Sequence, residues 1–406
     1  MSARQENGRG DASHEGPAGE DHATRGAVDA ENGSGPDHVS NAPGRDASAR
    51  KRSAFIIGSV VVVLLAVLGL LATFLGRPPE PPPPPPPTPK PTAGQLGAYP
   101  SFGPDDVFRV DLTGAPVAPR SPAMIDNLRS QIEPHYGGIA GLNTHQYNPV
   151  LYVVDESTPR TTVEFDDCQD KGSTPPGLFD GAKHFVDVPV PEDARTSVGT
   201  DSTITLWSPS TDQLWEFWVM KRADKGWSAC WGGRIDHVST SPGYFPAPYG
   251  VSASGLVTTG SMITVEEARR KQIDHAIGIA LISPARWDRF WYPAQRSDGP
   301  DASPDAIPEG ARLRLDPNLD VDSLQLTPLG KAVAKAAQKY GFIVVDTAGS
   351  VAVMAESGIP WKQKTGTDPW PKILGGTPTY KQLENFPWDK VEVIAPNYGK
   401  PSTASP

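Results

Sequence analysis

Short runs in which apolar and polar positions alternate fill the middle of the chain, and a helical period replaces them toward the C-terminal end. From 150 to 282 these runs are separated by Pro, Gly, Asp and Ser, the pattern of strands bounded by turns in a β-sandwich. The expected strands are Val150–Asp155, Thr161–Phe165, Thr203–Trp207, Leu214–Lys221, Trp227–Trp231, Arg234–Val238 and Ile273–Ile282. Arg222 to Gly226 reads as the connection of a hairpin between the fourth and fifth of these. Thr264-Val265-Glu266-Glu267 has the Thr-x-x-Glu spacing of a capping box and opens a short helix. A second helix is expected from Thr327 as N-cap and Pro328 to Tyr340, with Gly341 as its stop. Its apolar stripe is Leu329, Val333, Ala336, Ala337 and Tyr340, opposite Lys331, Lys335 and Lys339. Phe342–Val345 and Val351–Ala355 flank Asp346-Thr347-Ala348-Gly349 and read as a terminal β-hairpin. The fold class predicted is therefore mainly β, a sandwich carrying a C-terminal helix plus β-hairpin and preceded by a single transmembrane helix.

The N-terminal quarter has a different pattern. Residues 1–53 hold few apolar side chains and no aromatic before residue 53, too little to offset the entropy of ordering, and are expected to be a disordered tail. Residues 54–76, AFIIGSVVVVLLAVLGLLATFLG, carry no charge, and at ~1.5 Å per residue they match a ~30 Å hydrocarbon core. Arg50, Lys51 and Arg52 precede this run, so the positive-inside rule places the tail in the cytoplasm and the rest outside, anchored in the plasma membrane by one span. Residues 77–92 are proline-rich and predict a polyproline II stalk of roughly 50 Å at ~3.1 Å per residue. Residues 93–406 remain as a single extracytoplasmic β-sandwich domain.

Composition sharpens this picture. The 406 residues include 45 prolines, of which about 31 lie beyond the stalk, so the excess marks a loop-rich domain as well as a linker. A net charge of −10 argues against a nucleic-acid-binding surface, whose phosphates require basic patches. Cys168 and Cys230, the only cysteines, are expected to pair in an oxidising compartment, and their spacing excludes a C-x-x-C redox motif. Asp316, Asn318 and Asp320 open like a calcium loop, but Val321 stands where its Gly belongs and Thr327 where its Glu belongs, so no metal is expected. With no zinc spacing, no phosphate-binding Gly-rich loop and no G-x-S-x-G elbow, no cofactor is expected either.

Candidate chemistry rests on aromatics and carboxylates. All ten tryptophans follow residue 206, and five of them crowd into 207–231. Indole rings either fill a sandwich core or present stacking faces to sugar rings, and both roles suit different members of this set. Period-2 alternation puts Leu214, Glu216, Trp218 and Met220 on one face and Trp215, Phe217 and Val219 on the other. Trp218, Trp231 and Tyr244 are the candidate ligand-binding residues. Glu216 and Asp236 are the candidate acid and base of a glycan reaction, the two carboxyls that hydrolysis requires. His275 and Arg296 are candidates for the base and the neutralising cation of an elimination on a uronic-acid polymer. An enzyme built on these four needs them along one open cleft. The face opposite His275 on its strand, Asp274, Ala276, Gly278 and Ala280, is small enough for a neighbouring segment or a ligand to approach closely.

Several stretches, Asp212, Leu214 and Glu216, Trp227-Ser-Ala, Trp231-Gly-Gly-Arg-Ile-Asp236 and Ser252-Ala-Ser-Gly-Leu256, resemble a family of uncharacterised exported or membrane-anchored bacterial proteins of actinobacterial type. Ile273-Asp-His275-Ala, Pro293-Ala-Gln-Arg296, Ile307-Pro-Glu-Gly310, Arg312-Leu-Arg-Leu315 and Lys339-Tyr-Gly341 continue the likeness in order, over about 150 residues from Asp201 to Asp346. The resemblance implies a jelly-roll-like β-sandwich, similar in outline to lectins and jelly-roll polysaccharide lyases. The lyase signatures Gln-Ile-His and Tyr-x-Lys-x-Gly-x-Tyr are absent. The expected partner is a polysaccharide or cell-wall glycan, bound and either cleaved or left intact, the alternative being a non-catalytic scaffold or adhesion protein of the cell envelope.

Overall fold

A computed structural model describes residues 89–173, 185–224 and 226–401. The tail 1–53, the span 54–76 and all but the last four residues of the stalk lie outside them. Among the described residues no helix is long and apolar enough to cross a membrane.

The fold is β-rich, with strands in several sheets and few helices. After the helix Ser121–Ile132 come β1 (Gly141–Asn143), β2 (Leu151–Val153) and three short strands, β3 (Arg160–Thr161), β4 (Val163–Phe165) and β5 (Val188–Pro189). Next follow β6 (Ile204–Ser208), β7 (Gln213–Trp218), β8 (Lys221–Ala223), β9 (Gly226–Ala229) and β10 (Trp231–Asp236). Beyond the helix Val265–Arg270 lie β11 (Ile277–Leu281) and β12 (Arg312–Leu315), then the helix Pro328–Lys339, β13 (Phe342–Thr347), β14 (Ala352–Met354) and β15 (Val391–Val393).

Two sheets carry the architecture. One has the order β10-β7-β6-β2 and the other β1-β14-β11-β13-β12-β15. Leu151, Val153, Trp207, Leu214 and Ile235 from the first pack with Ile343 and Val345 from the second, a sheet-on-sheet core. The outer face of the six-stranded sheet, with Ile277, Ile279, Leu313 and Val344, buries the apolar stripe Leu329, Val333 and Ala337 of the helix Pro328–Lys339. On the outer side of the four-stranded sheet, Trp215 and Phe217 pack with Val163, Val188, Met220 and Trp227. Cys168 and Cys230 form the expected disulfide, with Cα atoms 5.5 Å apart.

Both expected helix starts are present. Thr264 and Glu267 exchange both capping-box bonds, and Thr327 caps Gly330 N–H ahead of Pro328. Three expectations need correction, the first being Trp227–Trp231, which is divided between β9 and β10 of different sheets. The segments around Asp346–Gly349 do not form a hairpin, because β11 lies between β13 and β14, parallel to the first and antiparallel to the second. Leu214–Lys221 is not one strand either. Val219 adopts φ 51°, a left-handed conformation that ends β7 at Trp218 and sends the chain into β8 of another sheet. Met220 consequently joins Trp215 and Phe217 rather than Trp218.

Candidate functional site: a cleft where the two sheets meet

Pairing of β7 with β10 sets Trp218 directly opposite Trp231, so both rings leave the same face of the sheet. That face also carries Leu214 and Ile235, which are sealed in the inter-sheet core, whereas Trp218 and Trp231 are half-buried, Trp231 packing against the Trp215 and Phe217 cluster. Trp218 and Trp231 line a cavity of about 490 Å³ with Asp201, Arg296, Asp298 and Asp346. Asp201 accepts a hydrogen bond from Trp218 Nε1 at 3.3 Å. Tyr249 stacks on Trp231 at 6.3 Å, and Lys171 Nζ lies 5.6 Å from the same ring. A second cavity, of about 750 Å³, shares Tyr147, Asp201, Asp346, Thr347 and Met354 with the first, so the two adjoin along these residues.

The carboxyls at this junction are electrostatically unusual. Burial pushes Asp346 up to about 7, helped by the neighbouring Asp298 and Asp201 charges and opposed by N–H bonds from Ala253 and Thr347. Glu309 is completely buried, and burial together with the charges of Asp346 and Asp298 raises it to about 10, which keeps it neutral at pH 7. Asp298 accepts from Thr347 Oγ1 at 2.6 Å. Arg296 donates through Nη2 to Gly250 O at 3.0 Å and Ser252 O at 2.8 Å, clamping the loop that forms one wall. Burial lowers its pKa while Asp346, Glu309 and Asp298 act against that shift.

The four residues proposed from the sequence for catalysis do not share this cleft. Arg296 lines it. Glu216 is buried behind it, where Oε1 accepts from Thr205 Oγ1 at 3.1 Å, Thr258 N at 2.9 Å and Thr258 Oγ1 at 2.5 Å. Burial raises its pKa to about 7, and its visible work is to hold Thr258, which does line the cavity. Asp236 is opposite Gln213 in register whereas Glu216 is opposite Gly233. Three residues along a strand reverses the side-chain direction, so Glu216 and Asp236 project from opposite faces and cannot flank one bond. Asp236 instead takes hydrogen bonds from Gln213 Nε2 at 2.7 Å and Arg234 Nη2 at 2.9 Å at the surface.

His275 is fully buried in another corner. Its Nδ1 donates to Ala276 O at 2.8 Å, its Nε2 is 3.1 Å from Glu267 Oε2, and Tyr99 stacks on it at 4.6 Å. Of the candidate ligand-binding residues, Trp218 and Trp231 are in the cleft, while Tyr244 packs edge-on against Tyr292 at 6.2 Å and is not among its lining residues. The small face of β11 is used as its composition suggested: Gly278 N donates to Ser261 O at 2.7 Å, and a Cβ on Gly278 would lie 2.6 Å from Ser261 Oγ. Asp201, Asp298 and Asp346 were not singled out from the sequence. Asp201 sits in a turn, Asp346 near the end of β13 and Asp298 in an irregular segment, where an Asp reads as turn or loop chemistry.

No family model matches the chain, and no curated protein or solved structure does. The site therefore stands on its own geometry.

Proposed function

We propose that the protein binds a cell-wall or extracellular polysaccharide in the cleft lined by Trp218, Trp231, Asp201 and Asp346. The observation that carries this reading is the cross-strand pair Trp218 and Trp231 lining one cavity, beside carboxylates able to accept hydrogen bonds from sugar hydroxyls. The uncharged run 54–76 and its basic flank support anchorage in the plasma membrane with this domain outside, and the Cys168–Cys230 disulfide suits that compartment. Two sheets packed face to face support a jelly-roll-like ancestry shared with exported bacterial proteins of actinobacterial type. The parallel pairs β2–β6, β1–β14 and β11–β13 depart from an all-antiparallel jelly roll. Binding of the full chain to a glycan panel tests the proposal. Trp218→Ala is expected to weaken the bound glycan by about tenfold, the scale of one aromatic contact. No binding across the panel, or binding indifferent to Trp218→Ala, overturns it.

A second reading, cleavage, is favoured by Asp346, whose carboxyl is raised to about 7 at the junction of the two cavities, near Asp201. In this reading Asp346 gives its proton to the glycosidic oxygen as the bond to the anomeric carbon breaks. Asp201 takes a proton from the water that adds to that carbon. Release of reducing ends, lost in Asp346→Asn, tests it. Binding with no release leaves a non-catalytic envelope-binding protein.

A further inference from the structure

Beyond the carboxyls, the second cavity is walled by a different aromatic surface. Tyr136 and Tyr380 stack on each other at 5.9 Å with planes 23° apart, and they are 53% and 43% exposed. Tyr147, 45% exposed, stands between this pair and the first cavity, in whose lining it also takes part. These are three of the seven exposed large hydrophobic side chains among the described residues, and all three face one cavity. Tyr136 and Tyr147 have φ of 50° and 51°, a backbone region that costs a bulky residue energy and that turns are seldom built on without glycine. Asn143, His145 and Gln146 supply hydrogen-bonding groups along the same wall. Exposed flat rings interleaved with polar side chains suit a ligand with apolar faces and hydroxyl edges, and do not suit an apolar partner surface.

We propose that the Tyr136, Tyr147 and Tyr380 wall is a distal subsite for the same glycan chain, so that the cleft takes an internal stretch of a linear polysaccharide rather than a chain end or a small sugar. This rests on the glycan reading of the first cavity. Its occupant follows from adjacency: the two cavities share five lining residues, and a chain seated on Trp218 and Trp231 that passes Asp201 and Asp346 enters the tyrosine-lined space. The tryptophans and the tyrosines then grip rings on either side of the carboxyls.

The test is calorimetric titration of the full chain with chito-, cello-, xylo- and manno-oligosaccharide ladders, each from disaccharide to octasaccharide. On the ladder that binds, affinity rises with length and then levels. Tyr136→Ala with Tyr380→Ala lowers the affinity of the octasaccharide by about tenfold and leaves that of the short members unchanged. Trp218→Ala weakens short and long members alike. Both tyrosines are exposed, and an unchanged unfolding midpoint confirms that the double variant is folded. Length-independent affinity that still responds to Trp218→Ala overturns the distal subsite and spares the glycan reading. Absence of binding on every ladder overturns both.

Discussion

Two corners of the molecule contain the same kinds of side chain and treat them in opposite ways. Around His275, the imidazole, the Glu267 carboxylate, the Thr264 hydroxyl and backbone N–H groups satisfy one another, and Tyr99 closes over them with its hydroxyl donating to Gly260 O. Burial alone would raise Glu267, but the Coulombic pull of His275 and hydrogen bonds from His275 and Thr264 outweigh it and hold the carboxyl below its ordinary range. At the cleft, Asp298 and Asp346 line the cavity with Arg296, whose Nη2 is committed to backbone carbonyls, and Asp346 and the fully buried Glu309 are driven upward. A polar cluster that completes its own hydrogen bonds is a structural joint. One that leaves protons on carboxyls beside an open cavity is equipped to act on something else.

The largest expected effect separates these corners through activity. If the protein cleaves its glycan, Asp346→Asn lowers the rate by about 10²–10⁴-fold, the usual weight of a positioned proton donor. The same variant is expected to gain stability at neutral pH. Because Asp346 titrates near 7 when folded, the native state keeps its proton through a range in which the unfolded chain has lost it. Stability therefore falls as pH rises from about 4 toward 7, and the Asn variant removes that slope. Urea midpoints at pH 5 and pH 8 for both proteins check this, and an identical slope in the two would refute the assignment.

The His275 corner should answer in the reverse sense. Glu267→Gln removes one member of a buried pair and is expected to cost about 3–5 kcal/mol while leaving glycan affinity intact. Glu267 is depressed in the folded state, so its contribution is present above the unfolded carboxyl value near 4.3 and is lost as pH falls through the lower folded value. Acid unfolding of the wild type with a midpoint that Glu267→Gln does not shift would break the contrast.

This contrast was only half visible in the sequence. The alternation that sorted Trp215 and Phe217 from Glu216 and Trp218 survived because β7 pairs with its immediate chain neighbour β6 and with β10, so local pattern and tertiary pairing agree. The caps at Thr264 and Thr327 were legible because they are local hydrogen bonds. The six-stranded sheet was not legible, because β11 and β13 are joined in parallel across more than sixty residues and no short-range signal specifies that register. The helix Ser121–Ile132 carried a usable signal, Pro122 in its first turn and Met124, Ile125, Leu128 and Ile132 on one face, which the surrounding Pro and Gly obscured. Asp-Thr-Ala-Gly has turn composition and makes Asp346 look like a turn residue, and only the insertion of β11 turns it into the end of a strand facing the cleft.

The disulfide sharpens the comparison from the cleft side. Cys168 precedes Gln169 and Lys171, which line the first cavity, and Cys230 precedes Trp231. Cys168→Ser releases a 62-residue loop closure and is expected to cost about 2–4 kcal/mol. Glycan affinity should fall as well, because the rim and Trp231 lose their common tether, whereas the Glu267 variant should lose stability without losing affinity. Equal affinity in the disulfide variant and the wild type would show that the rim is positioned by the sheet alone.

Val219 offers the smallest and most local test. Its φ of 51° is unfavourable for a β-branched residue, and it is held by a hydrogen bond from Val219 N to Asp201 O at 2.6 Å and by the departure of the chain toward β8. Val219→Gly relieves that conformation but loosens the unfolded chain, and these opposing terms leave a net stability change within about 1 kcal/mol. Its effect on the site should be larger than its effect on stability. The Val219 to Asp201 bond joins the end of β7 to the segment whose carboxylate receives Trp218 Nε1, so freedom at residue 219 spreads the positions of both cleft residues. A measurable drop in glycan affinity at nearly unchanged midpoint is the expected result, and a large loss of stability would instead assign this kink to folding rather than to the cleft.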